Sequence, residues 1–278
     1  MKDSRTITIV SIVLSVLLAL LVVLGLRLGY GQTKEVYDVV IFGDSNMGNF
    51  RGPTGPSRVF AKESKLRVLN AAVGGTMMNN KPTESCIENP WRYFSMVDLS
   101  KAVLKKDFLT QKAERPQYYV DFYDGNFDYV EASLNELSKA DFSKVKYIFI
   151  CQGLNDYLNG ARIYDPEDKY NEETFTGALR VSVENLKKAA PEAEIIVMAP
   201  NYNTVLGDSD IYSTGHGSLP DYIEQEMLVC EEYGLKFTSL NGPINKDNSA
   251  DYLYDGMHIN DDGARLIADI MLEAINLK

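Results

Sequence analysis

Histidine, cysteine and tryptophan are scarce in this chain, with 2, 3 and 1 copies in 278 residues. Cys86, Cys151 and Cys230 are an odd and widely spaced set. That excludes a disulfide framework and a C-x-x-C metal site. The two histidines, His216 and His258, make no metal cluster unless the fold brings carboxylates to them. Any histidine-dependent chemistry must choose between those two positions. Positive charge is also in deficit, at 28 Lys+Arg against 39 Asp+Glu, a net charge of −11. Such a surface repels the phosphates of nucleic acids and anionic lipids, which argues against a nucleic-acid partner. There is no internal repeat, low-complexity tract or second-domain linker. At 45% hydrophobic and 24% charged, the composition is that of an ordinary globular chain.

One long hydrophobic run is present, from Ile7 to Leu26, without a single charge. Twenty apolar residues at about 1.5 Å each cover the roughly 30 Å hydrocarbon core of a bilayer. Lys2 and Arg5 precede the run, Arg27 and Lys34 follow it, and no small-residue cleavage site ends it. The expectation is a single-pass anchor over residues 7–26, with the N-terminus inside and the bulk of the chain extracytoplasmic. The alternative is a cleaved signal peptide and a secreted domain. Residues 1–30 therefore separate from a domain spanning 31–278.

Beyond residue 30 short apolar runs alternate with helical patterns. The expected strands are Val36–Phe42, Leu66–Val73, Lys146–Cys151, Glu194–Ala199 and Leu235–Leu240. Between them Val130/Leu134/Leu137, Leu179/Val183/Leu186 and Ile223/Met227/Cys230 recur at helical spacing. Leu266, Ile267, Ile270 and Met271 mark one face of a last helix, with Asn260 or Asp261 as its N-cap. This alternation predicts an α/β class with a parallel sheet covered on both faces and a site at the strands' C-terminal ends. Residues 157–175 and 201–220 read as loops long enough to shape a pocket.

Candidate chemistry lies where the runs end. Strand one enters Gly43-Asp-Ser45-Asn46-Met47, where Gly43 allows a sharp turn and Ser45 is either an exposed nucleophile or a helix cap. Met47 occupies the second glycine position of a G-x-S-x-G elbow, so that motif is absent. Strand two ends in Gly74-Gly75, which can present backbone N–H groups to an anion, or simply turn. Strand three ends in Gly153-Leu-Asn155-Asp156, where Asn155 can aim its amide into the same crevice or bond its own backbone. Asp255-Gly-Met-His258 precedes the last helix. Its spacing lets the carboxylate meet the imidazole and leaves Nε2 free for a serine proton. His216 has no carboxylate at comparable spacing and reads as a loop residue.

Taken in order, Gly-Asp-Ser at 43–45, Gly75, Gly-Leu-Asn-Asp at 153–156 and Asp-x-x-His at 255–258 resemble the SGNH (GDSL-type) hydrolase family over residues 36–278. The resemblance implies a three-layer α/β/α sandwich with a flavodoxin-like sheet. It implies a serine esterase in which Ser45 is the nucleophile and Asp255 with His258 supplies the acid partner and base. Ser45, Gly75 and Asn155 would form the oxyanion hole. Asn46 departs from the pattern, standing where the name-giving motif has leucine. No metal or organic cofactor is implied. The expected substrate is a small ester or an acylated glycan, such as O-acetyl groups on cell-wall or extracellular polysaccharide. An acyltransferase would use the same residues, and a non-catalytic, membrane-tethered polymer-binding module is the reading from another class. Tyr118, Tyr119, Phe122, Tyr123, Phe127, Tyr129, Tyr157, Tyr164 and Tyr170 are candidate sugar-stacking or packing rings. Oligomeric state leaves no mark in the sequence.

Overall fold

The computed structural model describes residues 34–81, 91–114 and 129–278. The chain divides into two units, Met1–Glu35 and Val36–Lys278. Of the first, only residues 34 and 35 are described. The expected span at 7–26, Cys86, and the rings of Tyr118, Tyr119, Phe122, Tyr123 and Phe127 lie outside the described residues. Among the described residues no helix is long and apolar enough to cross a membrane.

Five strands form one sheet: β1 (Val39–Gly43), β2 (Val68–Asn70), β3 (Tyr147–Cys151), β4 (Glu194–Ala199) and β5 (Lys236–Ser239). Their spatial order is β2-β1-β3-β4-β5, and every pairing is parallel. This is the flavodoxin-like order, in which chain direction across the sheet reverses between β1 and β3 and a crevice opens at their C-terminal ends. Gly43 and Cys151 are the register partners at that edge.

Successive side chains on a strand face opposite ways, so a doubly covered sheet needs apolar residues at every position. One face is Val40, Phe42, Ile148, Ile150, Ile195 and Val197, packed on residues of α3 (Met96–Lys105), α5 (Tyr129–Lys139), α7 (Phe175–Ala189) and α8 (Leu219–Tyr233). The other is Val39, Ile41, Phe149, Ile196 and Met198, packed on α2 (Pro56–Ser64) and α10 (Asp261–Ala274). Burying each large side chain contributes roughly 1.5–3 kcal/mol. Short helices α1 (Ser45–Gly48), α4 (Leu109–Ala113), α6 (Leu154–Leu158) and α9 (Ser249–Tyr252) complete the described set.

The strands fall at the expected runs: β4 has the same limits, β1 starts later and runs on to Gly43, and β2, β3 and β5 are shorter. Strand two keeps only three sheet residues because the chain turns out after Asn70, although Ala71 and Val73 still donate to the carbonyls of Ile41 and Gly43. Asn260 is the cap of α10, accepting from Gly263 N–H at 3.0 Å. Of the expected Ile223/Met227/Cys230 set on α8, Cys230 is buried and Ile223 half-buried against the core, but the main buried face is shifted. It runs through Leu219, Tyr222, Glu226, Val229 and Cys230, and Met227 is exposed. The pattern misled because a carboxyl, Glu226, occupies the inward position that an apolar residue would normally take. Burial pushes the Glu226 carboxyl well above its ordinary value, because removal from water disfavours the charged form.

Candidate active site

β1 runs straight into α1, so a rigid strand aims the first helical turn at the sheet's C-terminal edge. Asp44, not Ser45, caps that turn: its Oδ1 accepts from Asn46 N–H at 3.1 Å. This leaves the Ser45 hydroxyl uncommitted to the helix. Ser45 N–H, at the first helical position, has no intrahelical acceptor. Gly43 is needed for space, not for a special turn. Its φ is not positive, and a Cβ there would come within 3.1 Å of both Cys151 O and Met47 Cβ.

His258 sits on a small hairpin in which Leu253 bridges Ile259 and Tyr254 N–H donates to His258 O at 3.0 Å. Gly256 at the tip has a φ of +82°, a left-handed conformation that glycine takes without strain. Within this turn Asp255 Oδ1 accepts from the N–H groups of Met257 and His258 at 3.0 and 2.7 Å. Its Oδ2 lies 2.7 Å from His258 Nδ1. The opposite ring nitrogen, Nε2, is 3.1 Å from Ser45 Oγ. Serine, imidazole and carboxylate thus form one continuous file. Partial burial pushes the Asp255 carboxyl up, but the hydrogen bonds from the His258 ring and from two backbone N–H groups outweigh it. The net position is below the ordinary value, so Asp255 is ionised at neutral pH. The Tyr254 ring lies nearly parallel to the imidazole, centroids 5.8 Å apart.

The other wall is the turn after β2. Gly74 N–H is taken by the Tyr129 hydroxyl at 2.9 Å, and Thr76 N–H returns to Val73 O at 3.4 Å. Gly75 lies between them at a φ of +74°. Asn155, on α6, donates through Nδ2 to Thr76 O at 2.9 Å, which draws its amide to this turn and leaves a second N–H on the same nitrogen. Asp156 secures the segment beyond, accepting from Met78 N–H at 2.8 Å and from the Asn79 side chain at 2.6 Å.

Arg51, which has no signal in the sequence, and Tyr129, expected there only as a stacking or packing ring, hold this wall against the serine turn. Arg51 donates to the carbonyls of Gly48, Asn70 and Ala72 at 2.7, 3.1 and 2.7 Å. Its guanidinium also lies 4.2 Å from the Tyr129 ring centre. Burial lowers the Arg51 pKa to about 10, which still leaves it charged. The Tyr129 hydroxyl in turn donates to Asn49 Oδ1 at 2.7 Å. Tyr129 is therefore a structural ring. Tyr157 is also buried, whereas Tyr164 and Tyr170 are exposed. His216 is exposed on its loop.

Among the described residues no three His, Cys, Asp or Glu side chains converge as metal ligands. The site instead joins a hydroxyl, an imidazole, a carboxylate and a set of N–H donors at the crevice of a flavodoxin-like sheet. That combination defines an α/β domain with a hydrolase-type candidate site. The family model described as GDSL-like Lipase/Acylhydrolase matches residues 39–271, and the chain belongs to that family. Solved structures with the same fold include a protein from Lactobacillus plantarum, at 17% identity and TM-score 0.58, covering 87% of this chain and 98% of that one. A possible lipase from Chitinophaga pinensis matches at 12% identity and TM-score 0.53, covering 86% and 99%. The acetyl xylan esterase AlAXEase matches at 15% identity and TM-score 0.51, covering 85% and 99%. No curated protein matches the chain.

Proposed function

We propose that this domain is a serine esterase that cleaves carboxylic esters through an acyl-enzyme. The observation that carries the reading is His258 standing between Asp255 and Ser45 at 2.7 and 3.1 Å. Asp255 holds the imidazole with its proton on Nδ1. Nε2 takes the Ser45 proton as Oγ attacks the ester carbonyl, then returns that proton to the departing alcohol. A water deprotonated by the same nitrogen hydrolyses the acyl-enzyme. General-base assistance of this kind contributes about 10²–10⁴-fold. Ser45 N–H, Gly75 N–H and the second N–H of Asn155 Nδ2 are the donors for the oxyanion, and each such donor contributes about 10²–10³-fold.

For the substrate, we infer a short acyl group presented on a polymer, such as an O-acetyl group on an extracellular glycan. Asp255 and the Tyr254 ring at the mouth of the site are exposed, a shallow setting that suits a substituent on a chain. The acetyl xylan esterase shares the fold. The accompanying proposal on location is that residues 7–26 anchor the chain in the cell membrane with this domain outside the cytoplasm. Support comes from the length of that uncharged run and from Lys2 and Arg5 before it.

The full chain, assayed against p-nitrophenyl esters of increasing acyl length and against acetylated glycans, should release acetate from the glycan and prefer the shortest acyl group. Preference for long acyl chains would overturn the substrate reading while leaving the esterase. Protease added to intact cells should digest the domain and leave a membrane-bound N-terminal stub. Protection until lysis would overturn the location.

A further inference from the structure

The residue after the serine, Asn46, touches both peptide groups that flank the histidine. Its Oδ1 accepts from Ile259 N–H at 3.2 Å. Its Nδ2 donates to Asn201 Oδ1 at 2.9 Å and lies 3.5 Å from Met257 O, the carbonyl immediately before His258. Asn201 reinforces the same carbonyl, donating to Met257 O at 3.2 Å while also donating to Tyr202 O at 2.8 Å. Both asparagine side chains are buried, so these bonds are shielded from competing water.

We propose that Asn46 is a positioning residue. By bonding Ile259 N–H and the Asn201–Met257 pair, it sets the distance between His258 Nε2 and Ser45 Oγ. The inference rests on the esterase reading above and adds to it a role for the position at which this chain departs from the GDSL motif. The geometry explains why an amide suits the place. Only a side chain with an acceptor and a donor can meet an N–H on one side of the histidine and a carbonyl on the other. A leucine would remove both the acceptor that Asn46 offers Ile259 N–H and the donor that it offers the buried Asn201 Oδ1. The change would therefore remove the two contacts by which Asn46 ties the serine turn to the histidine hairpin, those to Ile259 N–H and Met257 O. Because Ser45 and Asn46 are adjacent, movement of one strand end carries nucleophile and base together. A misplacement of about 1 Å between such groups costs on the order of 10²-fold in rate.

The test is the rate and extent of covalent labelling of the full chain by a fluorophosphonate probe, with the adduct mapped by peptide mass spectrometry. Asn46→Leu should label Ser45 to the same final extent as wild type, at a rate about 10- to 100-fold lower. Asn201→Ala, which removes one donor to Met257 O and the partner of Asn46 Nδ2, should slow labelling in the same direction by a smaller factor. A folded Asn46→Leu protein labelling at the wild-type rate would overturn the proposal. So would a fraction of molecules labelling at the wild-type rate while the rest stay inert, because that is loss of folded sites and not loss of alignment. If Asn46→Leu does not fold, the decision falls to Asn201→Ala: slower labelling supports the proposal and an unchanged rate overturns it. Ser45→Ala separates the two claims. Undiminished labelling in that variant would remove the esterase reading itself, whereas its silence with unaltered Asn46→Leu would remove the Asn46 role alone.

Discussion

Ser45 and His258 stand 213 positions apart in the chain, yet Ser45 Oγ and His258 Nε2 meet at 3.1 Å. Neither residue lies in a long element. Ser45 opens a four-residue helix at the end of the first strand, and His258 closes a hairpin ahead of the last helix. What joins them is the sheet's crevice together with the buried amides of Asn46 and Asn201.

The histidines should separate cleanly by mutation. His258→Ala should lower ester turnover by about 10³-fold or more, because the proton acceptor of both steps is lost. His216→Ala should leave kcat and KM within about twofold, since that side chain is exposed on a loop. Asp255→Asn should lower turnover by about 10²–10⁴-fold, through loss of the charge that orients the imidazole. Steady-state kinetics on one p-nitrophenyl ester decides all three. An inert His216→Ala beside an active His258→Ala would reverse the assignment.

Stability should fall as pH rises across the weakly acidic range. Burial pushes the Asp44 carboxyl to about 7 and that of Asp156 to about 6, against an ordinary 3.8. A carboxyl raised in the folded state binds its proton more tightly there than in the unfolded chain. The stability it contributes is therefore full below the unfolded value and lost as pH rises through the folded one. For Asp44 the window runs from about pH 4 to about pH 7, and the amount is roughly 1–4 kcal/mol. Asp255 acts oppositely: its carboxyl is lowered, and its contribution is lost only as pH drops below the ordinary carboxylate range. Asp44→Asn keeps an oxygen for Asn46 N–H and removes the titration. Urea midpoints measured from pH 4.5 to 7.5 should therefore decline in wild type and run flatter in the variant. Equal slopes would contradict the buried-acid account.

Gly256 is the position in the histidine hairpin where a methyl group should do most harm. Its φ is +82°, and an added Cβ would collide with Thr204 Oγ1. Gly256→Ala should cost about 1–3 kcal/mol of stability and reduce kcat by displacing His258. Adding Thr204→Ala should relieve the collision but not the backbone strain, so recovery should be partial. Full recovery would show that contact, not conformation, makes glycine necessary there.

How much of this was readable beforehand follows from how local each signal is. The strands were legible because a sheet covered on both faces demands unbroken apolar runs. Ser45, Asp255 and His258 were legible because short motifs carry them. No apolar spacing marks α2 and α3 among the expected helices, although Pro56 at a first turn and Ser95 accepting from Asp98 N–H are ordinary start signals. The buried face of α8 was misplaced because Glu226 breaks the apolar rule that periodicity relies on. The sequence suggests a sharp turn at Gly43, whereas what the glycine permits is the approach of Cys151 and Met47. Asn46 stands out in the sequence only as a motif departure, Tyr129 only as a candidate ring and Arg51 not at all, because their partners are set by long-range packing and not by spacing.

The measurement that tests the central claim most directly is the site of the acyl group. The full chain mixed with a p-nitrophenyl ester, quenched in acid within the first turnovers and digested, should yield a peptide carrying the substrate's acyl group on Ser45. The same treatment of Ser45→Ala should yield none. An acyl group recovered on another residue, or ester cleavage proceeding undiminished in Ser45→Ala, would contradict the account.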